Sequence, residues 1–464
     1  MAWVREGLYF VGVFYMIYLV LFATFALLSV AVGAYKLYAN DRMNRLKNKF
    51  SCNDLPVSIL VPAYNEAVTI VDSVKSLLAL DYCNYEIIVV DDGSDDGTAQ
   101  TLIDAFDLLP VYREIEFVLA CRPQEAVFDN VVQGVQVTLV RKQNGGKGDA
   151  LNMGINLCRH AYFIGVDADS KLQANALTEI VRPVLEDDSV VAAGGMVLVA
   201  QCVNDSEEEG DEMQADYRFP PNLLVSLQAL EYNRSFLASR ILMDTFNGNL
   251  IISGAFGLFK KSTVVNAGGY CTDTLGEDME LVLKLHGYCR NNDIKYRMRY
   301  QPSAICLTQA PTTMRDLRGQ RRRWHLGLLQ SMFSHRRMLF NKKFGLVGFF
   351  SYLYYFSYEL LAPFVELFGL VTILLAFFAG MLNMGYMLAF FVLYGIYGSL
   401  ISLTAFSQHI YAQNIRVKPM EMLKALLLCV LEFGFFRYVL VVVRILAVFG
   451  YGKNKGTWGK IKRV

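Results

Sequence analysis

The sequence predicts an α/β domain embedded in a helical integral membrane protein, and three observations support this fold class. Hydrophobic residues make up 54% of the 464 residues, charged residues only 19%, and the mean hydropathy is +0.31, on the membrane side of soluble averages. Long uncharged stretches lie towards both ends of the chain. Between them, from about Phe50 to Phe344, short apolar runs alternate with helical stretches, which is typical of buried parallel strands and their helices.

The first uncharged stretch predicts a membrane-spanning helix. No charge occurs in the 29 residues between Glu6 and Lys36, and about 20 apolar residues cross a bilayer. A cleaved signal peptide would have a shorter apolar region and a small-residue cleavage site. By the positive-inside rule, the basic residues that follow place the next segment in the cytoplasm and the N-terminus outside: Arg42, Arg45, Lys47 and Lys49.

The C-terminal third predicts two further crossings. No charge occurs in the 49 residues between Glu366 and Arg416, and the glycines from Gly380 to Gly385 divide them into two lengths near the spanning minimum. The stretch from Gly345 to Tyr358 is too short to span, so we expect it along the membrane interface, with Pro363 permitting a bend.

The last apolar stretch, Ala425 to Gly450, carries charges and precedes a basic tail. We therefore expect an interfacial or re-entrant helix there. Glu359 and Glu366 are seven residues apart, as are Arg437 and Arg444, so each pair shares a helix face. We expect the two faces to meet, because charges at membrane depth are costly unless paired; snorkelling to the headgroups is the alternative.

The predicted domain organisation has three parts. Residues 1–49 form the N-terminal helix and its basic flank, residues 50–335 form the cytosolic domain, and residues 336–464 form interfacial and transmembrane helices with a basic cytosolic tail. A net charge of +1 argues against a nucleic-acid partner. The nine cysteines show no CxxC spacing, so we expect reduced thiols and neither a zinc site nor a disulfide framework.

Polar residues follow the predicted strands where those strands end. Asp91 and Asp92 follow Ile87-Ile-Val-Val90, and Asp167 and Asp169 follow Tyr162-Phe-Ile-Gly-Val166. Lys147 lies in the Gly-rich loop that opens the next helical stretch. Because ligands collect at the carboxyl ends of parallel strands, these acids and the lysine are expected at one edge of the sheet.

Asp167 and Asp169 suit a hard divalent cation, which favours carboxylates together with phosphate oxygens. The pattern therefore suggests a site for a metal ion and a diphosphate group, and Lys147 is a candidate contact for that diphosphate. Each feature alone has an ordinary explanation, since the two aspartates resemble helix caps and the Gly-rich loop is a good turn. Asp91 and Asp92 likewise either form a turn or accept a hydrogen bond from an N–H group of a nucleotide base.

Glu277 and Asp278 begin a predicted helix, where acids commonly complement the helix dipole. Asp278 is the candidate general base, because an acceptor hydroxyl is a poor nucleophile without one. His286 is an alternative base. A lone histidine on a helix is more often a packed or surface residue.

Downstream, Arg321, Arg322 and Arg323 are consistent with a basic stripe at the membrane surface. That explanation leaves Gln320 and Trp324 unaccounted for. An indole beside an active site offers a stacking face for a sugar ring, and an adjacent guanidinium neutralises a departing diphosphate.

Together these motifs resemble the D, DxD, TED and QxxRW motifs of processive family 2 glycosyltransferases, the group of cellulose, hyaluronan and poly-N-acetylglucosamine synthases. The resemblance extends from about Pro56 to Trp324, with softer matches at Lys147–Gly154 and Ser253–Gly257. It implies a GT-A (nucleotide-diphospho-sugar transferase) fold. One departure is Gly276, which stands where the third motif usually has threonine.

The resemblance implies a role for each matching residue. Asp91 and Asp92 would lie near the uracil, Lys147 at the nucleotide phosphates, and Asp167 and Asp169 at the diphosphate and an Mg²⁺ or Mn²⁺ ion. Asp278 would be the base beside Glu277. The acceptor end would be held by the remaining residues: Gln320, Arg323, Trp324, Ser253 and Gly254.

The implied activity is that of a membrane-embedded, processive, inverting UDP-sugar hexosyltransferase that polymerises a β-linked polysaccharide from UDP-glucose or UDP-N-acetylglucosamine and exports it. The alternatives are a non-processive transferase that glycosylates a lipid carrier, and a transporter or scaffold with an inert nucleotide-binding domain. The expected partners are the donor, the growing polysaccharide and membrane lipid. Because three or four helices are few for a channel, we also expect a homo-oligomer or an accessory subunit. The expected location is the plasma membrane, with several crossings.

Overall fold

The computed structural model describes residues 2–47, 55–204, 216–413, 415 and 417–449. Outside this range lie the acidic run 206–212, for which the sequence predicts a solvated loop, and the basic tail after residue 449. Lys49 and Arg416 also lie outside it.

A mixed sheet forms the centre of the soluble domain. Ten strands are ordered β3-β4-β5-β2-β1-β6-β11-β8-β12-β7, and β9 and β10 form a separate pair. The bounds are β1 Val57–Ala63, β2 Tyr85–Asp91, β3 Leu109–Pro110, β4 Gln124–Val132, β5 Val135–Lys142, β6 Tyr162–Val166, β7 Lys171–Leu172, β8 Val190–Val199, β9 Val203–Asn204, β10 Asp216–Tyr217, β11 Phe256–Lys260 and β12 Arg297–Thr308.

Helices cover the sheet and continue into the apolar segments. Their bounds are α1 Ala2–Lys47, α2 Ile70–Leu78, α3 Thr98–Phe106, α4 Lys147–Leu157, α5 Ala176–Glu186, α6 Leu223–Arg234, α7 Arg240–Asp244, α8 Lys261–Asn266, α9 Glu277–Asn291, α10 Met314–Ser334, α11 Tyr352–Tyr354, α12 Ala362–Phe378, α13 Met384–Ala412, α14 Pro419–Leu431 and α15 Arg437–Phe449. Stretches of π-helix occur at Ser235–Ser239, Val347–Ser351, Tyr355–Leu360 and Glu432–Phe436.

The predicted parallel strands are present. β5, β2, β1 and β6 are neighbours and run in parallel, so their carboxyl ends meet at one edge of the sheet. β11 runs antiparallel between β6 and β8. The sequence suggested a strand-like run from Ile251 to Phe256, but the strand begins only at Phe256.

Alternate residues of the central strands enter two different cores. Ile59 and Ile87 pack with residues of α2, α3 and α5, whereas Leu60 and Ile88 pack with residues of α4 and α9. All four side chains are fully buried. Burial on both faces explains why these strands have unbroken apolar sequences.

Among the residues that the structure describes, three helices are long and apolar enough to cross a membrane: Glu6–Ala39, Met384–Tyr411 and Pro419–Phe449. A bent pair, Val347–Leu360 and Ala362–Phe378, makes a fourth if counted as one span. The pair bends by 51° just before Pro363, at the position where the sequence predicts a bend. These apolar helices, together with the α/β domain, form the predicted fold class.

The α1 helix is attached to the C-terminal helices by hydrogen bonds with its backbone. Gln408 donates to the Val30 carbonyl at 2.8 Å, and the Tyr397 hydroxyl donates to the Ala23 carbonyl at 2.5 Å. The Tyr15 hydroxyl donates in turn to the Val365 carbonyl at 2.5 Å. α1 therefore packs against both α12 and α13.

The last helical segment, 419–449, is long enough to cross a membrane, although the sequence predicted an interfacial or re-entrant helix. Both of its ends contact the α/β domain. Glu421 accepts a hydrogen bond from the Phe219 amide at 2.9 Å, and Arg444 lies 4.0 Å from Glu231. Those contacts attach both ends of the segment to the α/β domain.

The face of Glu359 and Glu366 was expected to meet the face of Arg437 and Arg444, and one ion pair between them is present. Arg437 pairs with Glu366 at 2.5 Å and donates to the Tyr394 hydroxyl at 2.9 Å. The other two charges have different partners: Arg444 lies 4.0 Å from Glu231, and Glu359 accepts from the Tyr354 hydroxyl at 3.3 Å. Equal spacing of seven residues places two charges on one face without determining which partner each one meets.

Candidate active site

Lys147 lies at the centre of a cluster of acids at the carboxyl edge of the sheet. It is the first residue of α4, and its ammonium lies 2.5 Å from Asp167 and 3.3 Å from Glu277. Asp167 follows β6, and Glu277 begins α9. Three segments that are distant in sequence thus converge on one positive charge.

Asp278 is oriented by backbone amides. One carboxylate oxygen accepts from the Gly254 N–H at 3.2 Å, and the other accepts from the Met279 N–H at 2.8 Å. A Cβ atom at Gly254 would lie 2.9 Å from the Lys147 Nζ, so a side chain at this position would displace the lysine ammonium. The structure therefore brings Gly254 and neighbouring Ser253 beside the candidate base.

Burial and neighbouring charges shift the pKa values of the cluster. Burial, with the nearby Asp167 carboxylate, raises the pKa of Asp169 to about 6. Burial also raises the pKa of Glu277, although Lys147 opposes that shift. Burial disfavours the charged form of Lys147, but Asp167 and Glu277 outweigh this effect and raise its pKa. The cluster thus holds more negative charge than its lysine balances.

Arg323 adds a second cation to the cluster. It lies within electrostatic range of Glu277, Asp167 and Asp169. Four carboxylates, counting Asp278, therefore face two cationic side chains. An additional divalent cation fits this imbalance, and oxygen ligands suit Mg²⁺ or Mn²⁺. Within the described ranges no group of three or more His, Cys, Asp and Glu side chains is arranged to hold a metal, so substrate oxygens would have to complete the coordination.

Asp92 is turned away from this cluster towards the Gly-rich loop. Its carboxylate pairs with Lys142 at 2.5 Å and accepts from the amides of Gly145 and Gly146 at 3.0 and 2.7 Å. Lys142 is fully buried and pairs also with Asp149 at 2.6 Å. Asp92 thus shapes the loop that leads into Lys147, and its expected place near the uracil stays a prediction.

Asp91 is the last residue of β2, and it accepts from the Ser94 amide at 3.1 Å. Burial raises the pKa of Asp91. Its position at the strand end, beside the Gly-rich loop, is the one that the sequence predicted.

Gln320, Arg323 and Trp324 all lie on α10. Trp324 is 47% exposed, and the Arg321 guanidinium lies 4.4 Å from its ring centroid. Gln320 donates a long hydrogen bond, 3.5 Å, to the Tyr232 hydroxyl. Trp324 is thus supported from one side and open on the other, as a stacking platform for a sugar requires.

His286 is unsuited to the role of alternative base. It is fully buried, its Nδ1 lies 2.6 Å from the Tyr296 hydroxyl, and its Nε2 lies 2.9 Å from the Asn249 carbonyl. A carbonyl only accepts, so Nε2 carries the proton and Nδ1 accepts from Tyr296. Both ring nitrogens are therefore engaged within the protein core.

Sequence reasoning missed Lys142, Glu231 and Tyr232. Lys142 had a signal, because it is two residues after Val140 and therefore on the same buried face of β5. Arg321, read as part of a basic stripe, is 3% exposed and pairs with Glu231 at 2.6 Å. Nothing local in α6 marks Glu231 as its partner.

Comparison with known proteins gives the family. The protein-family model described as "Glycosyltransferase like family 2" matches residues 55–327. A poly-beta-1,6-N-acetyl-D-glucosamine synthase of Staphylococcus aureus (strain COL) is 30% identical over 283 residues, which are 60% of this chain and 57% of the relative. The synthase of the same name from Staphylococcus epidermidis is 27% identical over 271 residues, 58% of this chain and 54% of the relative. The chain thus spans little more than half the length of these relatives.

A solved structure shares the fold. The mannosyltransferase PcManGT from Pyrobaculum calidifontis, in complex with GDP-Man and Mn²⁺, has a TM-score of 0.51 and 20% identity, over 84% of this chain and 97% of that one. The chain is therefore a member of glycosyltransferase family 2, with a GT-A domain joined to apolar helices that are long enough to span a membrane.

Proposed function

We propose that this protein is a membrane-embedded, processive, inverting glycosyltransferase that polymerises N-acetylglucosamine from UDP-N-acetylglucosamine into a β-linked polysaccharide. The observation that carries the proposal is the convergence of Lys147, Asp167, Glu277 and Asp278 beside the platform of α10. The choice of sugar is supported by the two staphylococcal synthases.

In the proposed reaction, Asp278 accepts the proton of an acceptor hydroxyl, whose oxygen attacks the anomeric carbon of the donor from the face opposite the leaving group. That single displacement inverts the anomeric configuration. The C–O bond to UDP breaks, and Lys147 and Arg323 balance the charge of the departing diphosphate. A divalent ion at Asp167 and Asp169, when bound, supplies further neutralisation of that charge. Trp324 holds the acceptor ring by stacking, so that the lengthened product remains in place for the next cycle.

We propose that the chain crosses the membrane three times, at α1, α12 and α13, with the GT-A domain in the cytosol. A contact at the C-terminal end of α13 supports this orientation. Gln413, just after α13, donates to the Pro302 carbonyl of the α/β domain at 3.0 Å. Segment 419–449 would then lie at the cytosolic interface, since Glu421 and Arg444 both contact the soluble domain. So few crossings favour a second copy or an accessory subunit for export of the polymer.

The test is UDP release by the purified protein in a membrane mimetic with Mn²⁺ or Mg²⁺. UDP-N-acetylglucosamine and UDP-glucose are offered separately, and the products are sized. We expect turnover with UDP-N-acetylglucosamine, a long product, and a loss of roughly 100-fold or more in Asp278→Asn, since general bases contribute about 10²–10⁴-fold. Metal removal by chelation should abolish turnover.

Short lipid-linked products would mean that the enzyme glycosylates a lipid carrier and is not a polymerase. Donor binding without turnover, unchanged by Asp278→Asn, would overturn the enzyme proposal. Asp273→Asn, in the loop before α9, is the matched control and should retain activity.

A further inference from the structure

Helices α9 and α10 are in backbone contact where the two candidate functional motifs approach each other. Gly276 immediately precedes α9, and a Cβ atom there would lie 2.8 Å from the Gly327 Cα. Conversely, a Cβ atom at Gly327 would lie 2.7 Å from both the Cα and the N of Gly276. Neither position has room for a side chain.

A polar clamp closes the same contact. The Gln330 Oε1 accepts from the Leu275 amide at 2.8 Å and from the Thr274 hydroxyl at 3.1 Å. The Thr274 hydroxyl also accepts from the Gly276 amide at 3.2 Å. One hydroxyl thus joins the residue before α9 to the side chain on α10.

Further contacts continue along both helices. The Ser331 hydroxyl donates to the Gly276 carbonyl at 3.4 Å, and His335 lies 3.3 Å from Glu280. Ser331 and His335 follow Gly327 at intervals of four residues, so all three lie on one face of α10. α9 and α10 are therefore attached over two turns.

The contact lies close to both functional motifs. Asp278, the candidate base, is two residues after Gly276, and Trp324, the candidate platform, is three residues before Gly327, one helical turn away. Any change in the separation of the two backbones changes the distance between the base and the platform.

We propose that Gly276, Gly327 and Thr274 are positioning residues that fix the base and the acceptor platform as one rigid unit. The inference rests on the proposed function. It also accounts for Gly276 in place of the usual threonine of the motif: Gly327 leaves no space for a side chain there, and Thr274 supplies a hydroxyl two residues earlier. The donor side is centred on Lys147 and Asp167, which lie at the start of α4 and after β6, outside this contact.

The decisive variant is Gly327→Ala. Carbon atoms in ordinary contact are about 3.5–4.0 Å apart, so a Cβ at 2.7 Å requires the helices to separate by about 1 Å. A misplacement of 1 Å costs about 100-fold in rate. We therefore expect the kcat of sugar transfer to fall by about 100-fold, the KM for UDP-N-acetylglucosamine to stay within about twofold, and UDP release to water to persist, because water needs no platform.

Controls separate this effect from general damage to the fold. Added Cβ atoms at Gly319 on α10 and at Gly287 on α9 meet no heavy atom within 4 Å, so Gly319→Ala and Gly287→Ala should keep transfer at the wild-type rate. Thr274→Val, which removes the hydroxyl without touching the backbone contact, should lower kcat in the same selective way. Thr274→Ser should restore it.

Transfer by Gly327→Ala at the wild-type rate would overturn the proposal. So would a loss of transfer that is matched by an equal loss of water hydrolysis or by a rise in donor KM. If Gly327→Ala fails to fold, equal activity of Thr274→Val and Thr274→Ser decides against the clamp. Failure of the proposed function is distinct, because the wild-type protein itself would then release no UDP.

Discussion

His286 shows how burial decides the chemistry of a single side chain. Burial lowers the pKa of His286 to about 4 in the folded protein, from about 6.5 when exposed. The neutral ring is therefore favoured by the fold, and the unfolded chain binds the proton more tightly. The contribution of His286 to the free energy of unfolding is therefore fully present above pH 6.5 and is lost as the pH falls from 6.5 to 4.

We predict that His286→Gln flattens the pH dependence of stability in that window. A pKa difference of this size corresponds to about 3 kcal/mol of unfolding free energy lost by the wild type between pH 6.5 and 4. Thermal unfolding of both proteins in detergent across this range measures the difference. Parallel slopes for His286→Gln and wild type would contradict the prediction.

The candidate site was largely predictable at the level of residue identity. Lys147, Asp167 and Glu277 come together as the motifs indicated. The contact of Asp92 with Lys142 was not predictable, because it is set by the pairing of β5 with β2. Residue type and spacing identify a carboxylate as available for binding, but only the packed structure shows that another buried charge already holds it.

At the scale of elements, α6 connects the candidate acceptor site to the C-terminal helices. Glu231 pairs with Arg321 of α10 at 2.6 Å and lies 4.0 Å from Arg444 of α15. One turn on, Arg234 pairs at 2.7 Å with Glu432 of the last helical segment. Two charges on α6 thus hold α10 and two positions of the last helical segment.

We predict that Glu231→Gln destabilises the protein more than Arg444→Gln. Removing one partner of a buried ion pair costs about 3–5 kcal/mol, and Arg321 is 3% exposed, whereas the Arg444 contact is longer and Arg444 is less buried. Since Arg321 also supports Trp324, the KM for acceptor should rise in Glu231→Gln. Unfolding temperatures and acceptor titrations measure both effects. A larger loss in Arg444→Gln would contradict this ranking.

Elements with a strong local pattern were predictable, and those defined by distant partners were not. β1, β2 and β6 have unbroken apolar sequences and appear where the sequence placed them. The strand-like run before Phe256 is instead a loop, in which the Gly254 N–H donates to Asp278 at 3.2 Å. The insertion of antiparallel β11 between β6 and β8 likewise depends on non-local pairing that no local alternation records.

At the scale of the whole molecule, the soluble domain and the apolar helices share one hydrophobic core. Phe406 of α13 and Cys429 of α14 belong to the same buried cluster as Ile59 and Val61 of the central sheet. Movement of the apolar helices is therefore transmitted to the GT-A domain through packed side chains. The Arg437–Glu366 pair, joined by Tyr394, lies among these helices and connects three of them.

We predict that exchanging the charges of this pair preserves function, whereas reversing either charge alone abolishes it. Glu366→Arg and Arg437→Glu each leave two like charges together among apolar helices, where unpaired charge is costly. In the double variant a carboxylate at position 437 accepts from the Tyr394 hydroxyl, so the three-helix connection is retained. Folded yield and UDP release in lipid nanodiscs measure the outcome.

The matched control is the pair that the structure does not form. Glu359→Arg combined with Arg444→Glu should not recover activity, because Arg444 contacts Glu231 and Glu359 contacts Tyr354. Recovery of both doubles would show that net charge alone matters. Recovery of neither would mean that the Arg437–Glu366 contact does not hold these helices together. If only the double variant of Glu366 and Arg437 recovers activity, the effect is due to the contact itself. That contact then fixes the position of α12 against α15.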